Sequence, residues 1–218
     1  PSGKQKGIMS LGRISDKGFE SSNKPKLCNI SPFHNSKKIN LFGTCVMSLI
    51  NLIYYMLNKF FYKKTKDLYD FLFPSSKNFF YFSMFGDNGV IEHQVIIPHD
   101  NVSSYVQELE SIIIRNKPRV SLCHMKLFRG KTNYVNFDGD GFCLALHFFN
   151  NNASCTTLKE IDLIDIKYNC IANLIKDSRI STESIIKQYP NYKNFVNSVK
   201  EYDPTLKFSN LILEKIFK

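Results

Sequence analysis

Between residues 90 and 179 the hydrophobic period switches back and forth in the order strand, helix, strand, strand, helix, strand. Val90–Ile97 reads Val-Ile-Glu-His-Gln-Val-Ile-Ile, rich in β-branched residues, and stops at Pro98, which has no N–H to give a ladder. After Asp100 and Asn101, two residues suited to cap a helix, Val102, Tyr105, Val106, Leu109, Ile112 and Ile113 recur at three- and four-residue spacing up to Asn116-Lys117-Pro118. Residues 119–128 read as a second strand, the Gly-, Asn- and Asp-rich residues 130–141 as a connection, and residues 142–149 as a third strand. A second helix fits Leu158, Ile161, Ile164 and Tyr168, and a short apolar run follows over residues 171–175. A βαββαβ order predicts an α+β fold, a ferredoxin-like four-stranded antiparallel sheet with both helices on one face. A helical N-terminal lead-in and C-terminal helices through about residues 191–202 and 208–217 complete the prediction.

Strand alternation assigns the two faces, because successive side chains point to opposite sides. In the third strand Phe142, Leu144, Leu146 and Phe148 form the apolar set that helices would cover, which leaves Cys143, Ala145 and His147 opposite. In the second strand Cys123, Met125 and Leu127 are the apolar set, so His124 and Lys126 lie on the other side. Glu92 and Gln94 share a face in the first strand. One side of the sheet therefore gathers Glu92, Gln94, His124, Lys126, Cys143, Ala145 and His147. A solvated face would carry Lys, Glu and Thr; two imidazoles, a carboxylate, an amide and small residues read as the wall of a site. Taken singly, each is an ordinary surface or core polar residue.

The chain is similar, over nearly its whole length, to the C-terminal half of the FAD-linked oxidases typified by decaprenylphosphoryl-ribose oxidase, relatives of the aldonolactone and alditol oxidases. The likeness rests on Gly86-Asp-Asn-Gly-Val-Ile-Glu-His-Gln-Val-Ile-Ile-Pro98, Lys126-Leu-Phe128, Gly141-Phe-Cys-Leu-Ala-Leu-His-Phe148, Ile175-Lys-Asp-Ser-Arg179, and Tyr189-Pro190 followed by Glu201-Tyr-Asp-Pro-Thr-Leu-Lys-Phe-Ser-Asn210. Nearer the start, Lys6-Gly-Ile-Met-Ser-Leu-Gly-Arg-Ile-Ser15 resembles the segment that leaves the family's FAD-binding domain, and Asn51-Leu-Ile-Tyr-Tyr-Met-Leu-Asn-Lys59 resembles an apolar helix after it. The resemblance divides the chain into residues 1–78, a basic linker and apolar helix, and residues 79–218, a substrate-binding or cap domain.

The resemblance implies catalytic roles for Lys126 and Lys176, which match two lysines facing flavin and substrate and suited to stabilising negative charge as hydride leaves. Gln94 matches a pocket glutamine, and Glu92 stands where a second glutamine is commoner. Glu92, Gln94, His124 and His147 are the expected substrate contacts, and Lys176, Ala145, Cys143 and Asp177 the expected cofactor contacts. Asp177 and Ser178 would orient Lys176. Ala145 occupies a position that is cysteine in some members, so thiol chemistry there is lost. Residues 82–85 are shorter than the family's stretch near substrate, Asn173 replaces a usual tyrosine, and Asn169-Cys170 replaces a glycine pair. The implied activity is oxidation of a sugar hydroxyl, of a lipid-linked pentose used in cell-envelope polysaccharide, by hydride transfer to FAD. FAD would be bound mainly by a domain in cis outside these residues, so this chain alone is expected to be inactive. An NAD(P)-dependent reductase is an expected partner. A sugar-lactone or alditol oxidase fragment is the nearest alternative.

Composition bears on the other classes. Six cysteines at irregular spacing suggest reduced thiols rather than a disulfide framework, and no leader pattern opens the sequence, which predicts a cytoplasmic protein. No metal is expected, since zinc ligands come in close pairs and the adjacent Cys123-His124 point to opposite faces. Gly139-Asp140-Gly141 lies between strands rather than opening a helix, and so reads as a turn and not a phosphate cradle. Residues 1–66 carry twelve Lys or Arg against Asp16 and Glu20, an excess of +10 that equals the net charge of the chain. Within them, residues 41–61 have no charge but Lys59. Asn51, Asn58 and Gly43 argue against a membrane span, leaving a buried helix or one lying on the inner membrane with lysines toward anionic lipid. An RNA-recognition module is disfavoured, because the third strand lacks a basic start and paired exposed aromatics, and Phe79-Phe80-Tyr81-Phe82 reads as core; no nucleic acid is expected. A non-catalytic ferredoxin-like binding module remains the rival class.

Overall fold

The structure is a computed structural model that describes residues 7–15, 43–60, 65, 67–72, 81–82, 84–131, 134–176 and 179–217. The chain divides into two compact units, Pro1–Asp87 and Asn88–Lys218.

In the first unit the described regular elements are α1 (Thr44–Phe60) and the short α2 (Leu68–Leu72). No helix among the described residues is long and apolar enough to cross a membrane. Of the aromatic run expected as core, Phe79 and Phe80 lie outside the described residues and Phe82 is exposed; the buried aromatic is Phe85, with the Tyr81 ring edge-on to it at 5.3 Å.

The second unit runs β1 (Val90–Ile97), a 3-10 turn (His99–Asn101), α3 (Val102–Asn116), β2 (Val120–Phe128), β3 (Gly141–Phe149), α4 (Asn152–Lys167), β4 (Ile171–Ala172), α5 (Thr182–Gln188), α6 (Tyr192–Tyr202) and α7 (Leu211–Ile216). Its four strands form one antiparallel sheet in the order β2-β3-β1-β4, the ferredoxin-like arrangement that the periodicity predicts. Val95, Ile97, Leu144, Leu146 and Phe148 on one face pack with Tyr105, Leu109 and Ile112 of α3 and Leu158, Ile161 and Ile164 of α4. The buried apolar residues of both helices fall within the predicted spacing, but Val106 of the predicted set is exposed.

Helix ends differ from the sequence expectation in an informative way. Asn101 precedes α3, yet its side chain makes no cap; its amide donates instead to the Tyr168 carbonyl at 2.9 Å, fastening the start of α3 to the end of α4. Lys117 ends α3 in the left-handed region, ahead of Pro118. Asn151 caps α4, its Oδ1 accepting from the Ser154 N–H at 2.9 Å.

Two other expectations are corrected. Alternation assigns Cys123, Met125 and Leu127 to the helix-covered set, and they do lie on that face, but all three are exposed. The helices cover the central strands, and β2 is an edge. The apolar run at residues 171–175 pairs only over Ile171–Ala172 before turning. Past that short edge, Gln188 Oε1 accepts from the Ala172 N–H at 2.9 Å and the Tyr189 hydroxyl donates to the Ala172 carbonyl. The main-chain groups of Ala172 are thus satisfied by side chains rather than by another strand.

Candidate functional site

The register of β1, β3 and β2 sets the geometry of the face away from the helices. Three rows cross it: Glu92, His147 and Leu122; Gln94, Ala145 and His124; Ile96, Cys143 and Lys126. A bulge between Val120 and Leu122 ends the pattern, with the Ser121 hydroxyl donating to the His147 carbonyl at 3.2 Å. Every strand residue that alternation assigns to this face is found on it.

Lys176 reaches the same face from the turn after β4. Asn173 builds that turn: its N–H donates to the Gln94 carbonyl at 2.8 Å and its side-chain amide to Gln94 Oε1 at 2.6 Å. Its own Oδ1 accepts from the Ile175 N–H at 3.1 Å, and its carbonyl accepts from the Lys176 N–H at 3.0 Å. Asn173 thereby couples Gln94 to the backbone that presents Lys176. Lys176 Nζ lies 3.0 Å from Glu92 Oε2, and His147 Nε2 lies 3.7 Å from the same oxygen. Asp177 and Ser178 lie outside the described residues.

The electrostatics follow from this packing. Partial burial alone would raise the Glu92 pKa, but hydrogen bonds and charge from His147 and Lys176 outweigh it and bring the carboxyl down to about 2. Glu92 is therefore a fixed anion at neutral pH and no proton donor. His124, its ring centroid 6.4 Å from that of His147, has a lowered pKa because burial and the neighbouring Lys126 and His147 disfavour the imidazolium. Burial pushes the Cys143 thiol up to about 11, against Lys126 and a Gln94 hydrogen bond, so it is no thiolate nucleophile. Cys143 and Ala145, both expected to touch cofactor, are fully buried and present no surface here, whereas the Lys176 side chain is 47% exposed.

Sequence reasoning missed a second polar cluster on the helix-covered face. His93 of β1 places Nε2 3.2 Å from Asp165 Oδ2 of α4, and the Tyr105 hydroxyl of α3 donates to Asp165 Oδ1 at 2.7 Å. Donor atoms of His93, Asp162 and Asp165 all fall within 4.8 Å of one another, a spacing a cation could use. The oxygens are already engaged: Arg179 brackets Asp162 at 3.2 and 3.3 Å, and a guanidinium there opposes a cation. The cluster instead joins the sheet, both helices and Arg179. Alternation carried the signal, since it puts His93 on the face of Val95 and Ile97, where an imidazole needs a buried partner.

No family model matches this sequence, and no curated protein matches it.

Proposed function

We propose that the second unit is the substrate-side domain of an FAD-dependent oxidoreductase that oxidises a sugar hydroxyl. The observation that carries this reading is the convergence of Lys176, Glu92, His147, Gln94, His124 and Lys126 on one sheet face, with an exposed ammonium held 3.0 Å from a carboxylate. The donor set suits both ligands. Two ammonium groups fit the electron-rich edge of a reduced flavin ring, and a carboxylate, two imidazoles and an amide fit a polyhydroxylated substrate. The flavin, when bound, supplies the hydride acceptor.

The chain's own groups then divide the remaining work. Lys176 stabilises the substrate oxygen as negative charge develops on it, and Glu92 holds that ammonium in place. Glu92, ionised throughout the neutral range, accepts a hydrogen bond from a sugar hydroxyl but donates none. His147 and His124 offer further hydrogen bonds to hydroxyls, and Asn173 fixes Gln94 relative to the Lys176 turn. A lipid-linked pentose is the substrate the family resemblance favours, with an NAD(P)-dependent reductase completing an epimerisation.

The test is anaerobic flavin reduction by a panel of sugar alcohols and lipid-linked sugars in the full-length protein, with and without Lys176→Ala. The variant should retain its flavin and its circular dichroism while reduction slows by about two orders of magnitude. A full-length protein that binds no flavin, or undiminished reduction in the variant, would refute the reading.

A further inference from the structure

The apolar residues of α1 are not covered as those of an ordinary surface helix are. With a step of about 100° per residue, Ser48, Asn51, Asn58 and Lys59 fall along one side together with Tyr55. Leu49, Ile50, Leu52, Ile53, Met56, Leu57 and Phe60 fill the rest, an apolar arc of roughly 220°. A helix of this pattern packs its apolar arc inward and solvates its polar side. Here Met47, Tyr55 and Asn58, at or beside the polar stripe, are the half-buried ones, and every other described side chain from Val46 to Phe60 is exposed. Ile53, at the centre of the apolar arc, is 48% exposed, and Phe60 is 72% exposed. The apolar arc faces outward.

Charge identifies what would cover it. From Ser21 to Lys66 the sequence holds eight lysines and no acidic residue, and α1 lies within that stretch with Lys59 in its last turn. A protein partner with an apolar groove would not require this one-sided charge, whereas an anionic bilayer surface uses both features together. The geometry favours lying on the bilayer over crossing it. Seventeen residues extend about 26 Å, short of a hydrocarbon core of about 30 Å, and the polar stripe has no place inside lipid. We infer that α1 is a membrane-surface anchor: its apolar arc sinks into the acyl boundary while the flanking lysines engage anionic headgroups. This surface stands whether or not the sheet belongs to an oxidoreductase.

Flotation of the full chain with lipid vesicles tests it, comparing phosphatidylcholine alone with phosphatidylcholine containing about one third phosphatidylglycerol. Binding should be at least tenfold stronger on the anionic vesicles, weaken with added salt, and fall by about tenfold or more in a Leu49→Glu/Ile53→Glu double variant. Both sites are exposed, so the variant should keep its circular dichroism. The chain has no tryptophan, so Ile53→Trp supplies a single reporter whose emission should shift to the blue on anionic vesicles. Absence of vesicle binding would overturn the inference, as would equal binding to both compositions or an unshifted tryptophan spectrum in the Ile53→Trp variant. A lipid-free dimer abolished by the double variant would also overturn it, because the occupant of the arc would then be a second copy of the chain.

Discussion

Replacing Glu92 with glutamine isolates what its charge contributes. Desolvation raises the carboxyl pKa, and the hydrogen bonds and charges of His147 and Lys176 more than reverse this, taking it from 4.5 down to about 2. A carboxyl whose pKa is depressed on folding stabilises the native state above its unfolded pKa and loses that contribution as pH falls through the folded value. The window therefore runs from about 4.5 down to about 2. A depression of that size corresponds to about 3 kcal/mol at neutral pH. Because the Lys176 side chain is 47% exposed, solvent screening reduces this to about 1.5 kcal/mol. More than half of it should be gone by about pH 3. Urea unfolding followed by tyrosine fluorescence, wild type against Glu92→Gln at matched ionic strength, reads the difference directly. The gap should be about 1.5 kcal/mol near pH 7 and less than half of that near pH 3. A gap that does not change with pH would show that glutamine loses packing rather than charge, and no gap at neutral pH would mean the ion pair contributes nothing net.

Two further substitutions probe the sheet and its helix-side cluster. Burial holds the Tyr105 phenol protonated, its pKa well above the ordinary value, so it is a neutral donor to Asp165; Tyr105→Phe should cost about 1.5–3 kcal/mol in urea unfolding, and full stability would show that Asp165 does not depend on that hydroxyl. A Cβ on Gly141 would lie 2.2 Å from the Ile97 carbonyl oxygen. Gly141→Ala should therefore lower stability by about 1–3 kcal/mol and speed amide exchange at the paired Ile97 and Phe142, and an unshifted melting temperature would contradict so close an approach.

The fold was legible where one physical rule acted on many residues at once. Alternation in β1 and β3 acts on every side chain of a strand, so the assigned faces agree with the register, and the helical periods contain the buried sets on α3 and α4. Edge effects were not legible. Cys123, Met125 and Leu127 alternate just as a covered strand would, and only the strand order reveals that β2 lies beyond the helices. Helix α5 was missed because its seven residues span too few turns to show a period, although Ser181, whose hydroxyl accepts from the Ser184 N–H, is a capping signal that could have marked it.

Two asparagines beside β4 show residue and structure explaining each other. Asn169 adopts φ 55°, the left-handed conformation that asparagine tolerates better than most other side chains, in the turn that ends α4. Asn173 is different in kind. Its short side-chain amide both donates to Gln94 Oε1 and accepts from the Ile175 N–H. Asn173 therefore closes locally and stiffens the Lys176 turn. Glu92 acts in the same direction, since its carboxylate holds the Lys176 ammonium at 3.0 Å. Together Asn173 and Glu92 organise this face around a held ammonium, since one stiffens the turn that presents Lys176 and the other fixes where its charge sits.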